Sequence, residues 1–141
     1  MTGRPIDANL ALLETRLEQA GASLRRLVGP RALARALRAE PAPLWLEDHP
    51  WLRPAGRELE GWGVPFRFVG STWGPEGATA VTVGLGAVPE TGSVLVPSGT
   101  GAASWLPYRA KNHLVVIPWE QACLSLSRAL DISAAAPGMV T

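Results

Sequence analysis

H-L-V-V-I, residues 113 to 117, carries one polar side chain at its start and then four aliphatic ones, three of them β-branched. A run this short and this apolar reads as a strand buried on both faces, which is the pattern of a parallel sheet covered by helices. Upstream, T-A-V-T-V at 79–83 and S-V-L-V at 93–96 have the same character. Earlier still, P-L-W-L-E at 43–47 and the segment from Val64 to Val69 are strand candidates bounded by proline and glycine.

Between the strands the period changes. Pro50 to Trp62 reads as a helix opened by an N-terminal proline. Trp119 to Leu130 reads as another, with Ala122, Leu126 and Leu130 at i, i+4 spacing. At the N-terminus Leu10, Leu13, Leu17, Ala20, Leu24 and Leu27 recur three and four apart, predicting a helix from Asp7 to Val28 that Asp7 caps and Gly29-Pro30 stops. A second short helix, R-A-L-A-R-A-L-R-A, follows. Helices alternating with short apolar strands predict an α/β protein whose sheet is covered on both faces, with Val81, Val83, Leu95, Val115 and Ile117 buried. The close strands around residue 88 add a local antiparallel element. The expected division is a helical segment over 1–40 and an α/β domain over 41–141, together one globular body.

A chain of 141 residues is long enough to bury a core without disulfides or a structural metal. Its formal charge is +1, with twelve arginines against one lysine, and charges of both signs are interspersed through the N-terminal half. That balance does not point to nucleic acid. The single cysteine, Cys123, cannot build a disulfide framework, a C-x-x-C pair or a four-thiolate cluster. No cofactor or metal is therefore expected on this chain. The first residues lack the apolar stretch of a signal peptide, no run is long enough to span a bilayer, and the expected location is the cytoplasm.

Ligands of open α/β sheets gather outside the carboxyl ends of the strands. That rule selects Asp48 and His49, then Ser71, Thr72 and Trp73, then the loop G-L-G-A-V-P-E-T-G at 84–92. Asp48-His49-Pro50 reads first as the start of the following helix. The stretch P-S-G-T-G-A-A-S at 97–104 can wrap an anion with backbone N–H groups through Ser98, Thr100 and Ser104, although it lacks the order of a P-loop. Arg109 and Lys111 can hold a carboxylate or phosphate just ahead of His113. Glu90 is the only ionisable group of its loop. Folded over a cleft it is a base or nucleophile; in a plain hairpin it faces water while Gly92 supplies the left-handed turn position.

Taken in order, G-L-G-A-V-P-E-T-G-S-V-L-V, then S-W-L-P and H-L-V-V-I, closely resemble the LUD domain family of lactate utilization protein C over about residues 79 to 118. That family shows an A-E-T-G-[ST] turn between apolar strands, then S-L-L-P and H-[IV]-x-V-V. The resemblance implies a three-layer α/β/α Rossmann-like sheet similar to the ribose-5-phosphate isomerase and CoA-transferase superfamily, preceded by an N-terminal helix. It implies an accessory role in oxidising L-lactate to pyruvate beside iron–sulfur partner proteins, with a small organic acid as the possible ligand. Glu90 becomes the candidate catalytic residue, and Thr91, Gly92, Ser98, Thr100, Ser104, Arg109, Lys111 and His113 the candidate ligand-binding residues. Six positions separate Pro107 from His113, against a shorter spacing in the family. Family members continue into G-P-S-x-T-A-D-I-E and H-G-P segments where this chain reaches Met139-Val140-Thr141, so either a short relative or a truncated product is expected. Two other readings remain: an acyl-CoA enzyme similar to the CoA transferases, in which the glutamate of a short E-x-G turn is the nucleophile, and a scaffold whose N-terminal stripe docks a partner.

Overall fold

The computed structural model describes residues 6–69, 79–97, 112–135 and 139–140. Two compact units emerge, each assembled from separated stretches: the described residues of Arg26–Val83 and Gly99–Val116 form one, and those of Met1–Arg25, Gly84–Ser98 and Ile117–Thr141 form the other.

Among the described residues, the first of these units is a parallel sheet with helices on one face; the expected helical cover of the second face is not among them. In chain order it contains α2 (Gly29–Arg38), β1 (Leu44–Glu47), α3 (Arg53–Gly61), β2 (Phe66–Val69), β3 (Thr79–Val83) and β6 (Asn112–Val116). The strands lie in the order β2-β1-β3-β6, all parallel. The register places Leu44, Leu46, Phe66, Phe68, Val81, Val83, Leu114 and Val116 on one face, because partners in register share a face and alternate residues follow. That face meets Ala34 and Leu37 of α2 and Leu52, Ala55 and Leu59 at and within α3, forming one apolar core. Removing a side chain such as Leu46 from water stabilises the fold by about 1.5–3 kcal/mol. Gly56 lets α3 approach β2, since a Cβ there would stand 2.7 Å from Phe68 Cζ and 3.3 Å from Phe66.

The same sheet explains two departures from expectation. Val115 points to the opposite face and is only half-buried, as is Ile117, whereas Val81, Val83 and Leu95 are buried. The helix expected from Pro50 begins at Arg53, after a turn in which Trp51 N–H donates to His49 Nδ1 at 3.1 Å and Arg53 Nε donates to Asp48 at 3.0 Å. Asp48 and His49 thus serve the start of α3.

The other unit contains α1 (Ile6–Gln19), β4 (Gly86–Val88), β5 (Ser93–Pro97), a 3-10 turn (Trp119–Gln121), α4 (Leu126–Ala135) and β7 (Met139–Val140). β4 and β5 form an antiparallel hairpin, and β7 pairs antiparallel with the far side of β5. The antiparallel element expected near residue 88 is therefore present, with Gly86–Val88 as its first arm; Thr79–Val83 instead joins the parallel sheet. Val88, Leu95 and Ala129 form its core with Leu85 and Leu124.

Two helices end or begin elsewhere than the apolar period suggests. α1 stops at Gln19, not at Val28, because Gly21 takes φ +84°. Ala22 N–H reaches Leu17 O at 2.8 Å and Gly21 N–H reaches Glu18 O at 3.0 Å, a Schellman closure. Leu24 and Leu27 consequently leave the stripe. The C-terminal helix is split: after the 3-10 turn, Ser125 Oγ accepts from Arg128 N–H at 3.1 Å and starts α4 anew. Ala129 is buried, while Leu126 and Leu130 face solvent.

Candidate functional site

The hairpin tip is built by P-E-T-G at 89–92. Thr91 N–H and Gly92 N–H both donate to Val88 O, at 3.3 and 2.8 Å, which closes the turn. Gly92 has φ +69°, a conformation that costs an L side chain energy. It is also close-packed, since a Cβ there would lie 2.7 Å from Arg16 Cβ on α1. Thr91 Oγ1 donates to Ser93 Oγ at 2.8 Å across the turn. Pro89 is buried and Glu90 is exposed, so the turn anchors on the proline and presents the carboxylate to solvent. Among the described residues Glu90 has no ion-pair partner.

The parallel sheet carries a second polar group, on the face opposite α2 and α3. His113 Nε2 lies 2.7 Å from Thr82 Oγ1, joining β6 to β3. His113 is exposed, yet the protein around its ring lowers the pKa from its ordinary 6.5 through loss of hydration. A neutral ring can accept from the Thr82 hydroxyl through Nε2 or donate to it, depending on tautomer. Glu47 ends β1 one position beyond the last residue paired with β3, and its Oε1 accepts from Val83 N–H at 2.9 Å. The carboxylate therefore supplies the acceptor that β1 no longer provides. Glu47 and Thr82 flank the point between β1 and β3 where the chain order reverses, the usual ligand position of open parallel sheets. On the same face Trp45 Nε1 is buried, with no hydrogen-bond acceptor among the described residues.

Of the residues singled out in the sequence, Glu90, Thr91 and Gly92 are brought together at the hairpin tip, and His113 stands on the parallel sheet of the other unit. Ser98, Thr100, Ser104, Arg109 and Lys111 lie outside the described residues, as do Ser71, Thr72 and Trp73. Sequence reasoning missed Thr82 and Glu47. The signal available for Thr82 was a hydroxyl in the middle of an otherwise buried strand, and for Glu47 a carboxylate closing an apolar one. The lone thiol, Cys123, is pushed up in pKa by burial, which disfavours the reactive thiolate.

Among the described residues no group of three His, Cys, Asp or Glu side chains is placed to hold a metal ion, and no helix is long and apolar enough to cross a membrane. Comparison with protein-family models, with curated proteins and with solved structures finds no match.

Proposed function

We propose that this chain is a LUD-type protein acting in the oxidation of L-lactate to pyruvate, as an accessory component that presents a recognition surface to iron–sulfur partner proteins. The observation that carries this reading is the hairpin tip. The family-like motif A-V-P-E-T-G-S folds into a turn fixed by two backbone hydrogen bonds and a left-handed glycine, with its single carboxylate exposed. An exposed acid on a rigid turn suits a contact with a partner protein better than it suits the desolvated setting of a nucleophile. The four-stranded parallel sheet with its helices is an α/β arrangement, and the described residues supply two of the three layers that a sandwich like that of the ribose-5-phosphate isomerase and CoA-transferase superfamily would have. A cytoplasmic location belongs to the same proposal.

The test is co-purification from a host that grows on L-lactate. The tagged chain is expected to bring down proteins with the visible absorbance of iron–sulfur clusters, and its deletion to abolish growth on L-lactate while sparing growth on pyruvate. A colourless, partnerless preparation together with undiminished growth of the deletion strain would refute the assignment.

A further inference from the structure

Every acidic residue of the N-terminal region lies outside the stretch from Arg26 to Arg38, which holds four arginines and no aspartate or glutamate. The chain as a whole is +1, so the remainder outside this stretch is −3 (1 minus 4). The interspersed charges of the N-terminal half thus conceal one local excess.

Three of those four arginines stand together on α2 of the parallel-sheet unit. Arg31, Arg35 and Arg38 stand at i, i+4 and i+7 of α2, all exposed, while Ala34 and Leu37 between them face the core. Two of the three guanidinium groups are held in place. Arg38 lies 4.8 Å from the centroid of the Trp62 ring, and Arg31 Nε is 3.7 Å from Glu58. Directly before the helix, Leu27 and Val28 are exposed by 41% and 93%, on extended backbone at Val28. Two exposed aliphatic side chains beside a row of arginines make a surface of the composition that protein interfaces favour.

We propose that α2 and the preceding Leu27-Val28 step form a docking surface for an acidic segment of a partner protein, whose carboxylates pair with Arg31, Arg35 and Arg38 and whose apolar side chains cover Val28. This goes beyond the lactate reading and does not rest on it. Charge disfavours a second copy of the same face, since two arginine rows repel, although Arg31 is partly offset by Glu58. Insertion into a bilayer is disfavoured because the apolar stripe of α2 is already committed to the core. Planar forks held by a ring and a carboxylate match the two-oxygen geometry of carboxylates, and an overall charge of +1 gives little of the long-range field that nucleic acid binders use.

The experiment measures binding of the full chain to a synthetic helical peptide bearing glutamates at i, i+4 and i+7 beside a leucine, with the glutamine version of that peptide as control. Binding to the glutamate peptide is expected to weaken at least about tenfold in the Arg31→Glu/Arg35→Glu variant and in high salt, and to recover in that variant with a lysine peptide. Val28→Ser weakens binding while leaving the salt dependence unchanged. Circular dichroism and thermal melting of each variant establish that the fold is intact. Equal binding of the glutamate and glutamine peptides, or no loss in the charge-reversed variant, overturns the proposal. So does tighter association with phosphatidylserine-containing vesicles or a short DNA duplex, which would assign the surface to phosphate groups.

Discussion

His113 Nε2 and Thr82 Oγ1 are 2.7 Å apart on the face of the parallel sheet opposite its two helices, and the imidazole is held below its ordinary pKa by loss of hydration. The folded state therefore binds this proton less readily than the unfolded chain. The stability associated with the neutral ring is fully present above the unfolded value of 6.5 and is lost as pH falls from there through the folded value. Denaturant titrations across that window are expected to show the wild type weakening toward acid, with His113→Gln showing a shallower dependence. Identical pH profiles for the two proteins would remove His113 as the titrating group.

The two faces of the sheet predict unequal sensitivity. Val81 is fully buried between strands and helices, and Val81→Asp is expected to cost about 3–5 kcal/mol by placing an unpaired charge in the core. Val115 is half-buried on the other face, so Val115→Asp should cost less. Leu46→Ala, which removes a fully buried side chain of the same core, should cost about 2–5 kcal/mol. Equal losses at positions 81 and 115, read from chemical denaturation, would contradict the face assignment.

Glycines at 21 and 92 share a left-handed backbone but differ in surroundings. A Cβ added at Gly21 would meet no atom within 4 Å, whereas at Gly92 it would stand 2.7 Å from Arg16 Cβ. Gly21→Ala should cost about 1 kcal/mol from backbone strain alone, and Gly92→Ala more than that because α1 or the turn has to move. Thermal melts showing the reverse order would mean that the turn does not lie against α1.

These contrasts mark how far the sequence can be read. The strands at 79–83, 93–96 and 113–117 are legible because short β-branched runs have few alternatives, and the hairpin is legible from Pro89 and Gly92. The helix ends are harder, since the apolar period continues through Leu24 and Leu27 while the left-handed Gly21 turns the backbone away. The signal is present in that one glycine, but a periodic stripe outweighs it when only spacing is counted. Val115 is expected in the core because an all-apolar run hides which alternate residues face the helices; only pairing register decides that. Thr82 and Glu47 escape notice for a related reason. Their roles depend on neighbours 31 and 36 positions away in the chain, a separation that no local pattern reports.

The proposed function makes the exposed carboxylate of the P-E-T-G turn a recognition contact in lactate oxidation. Glu90→Gln keeps the volume and hydrogen-bonding capacity of the side chain and removes its charge. The substitution is expected to leave thermal stability within about 0.5 kcal/mol, as for an exposed residue, so any loss of function reports on contact and not on folding. The decisive measurement is growth on L-lactate of a strain in which deletion of the chain abolishes that growth, complemented with either wild type or the E90Q variant. Wild type is predicted to restore growth and E90Q, at equal abundance, to fail; full growth with E90Q would contradict the claim and leave Glu90 as a residue of the turn alone.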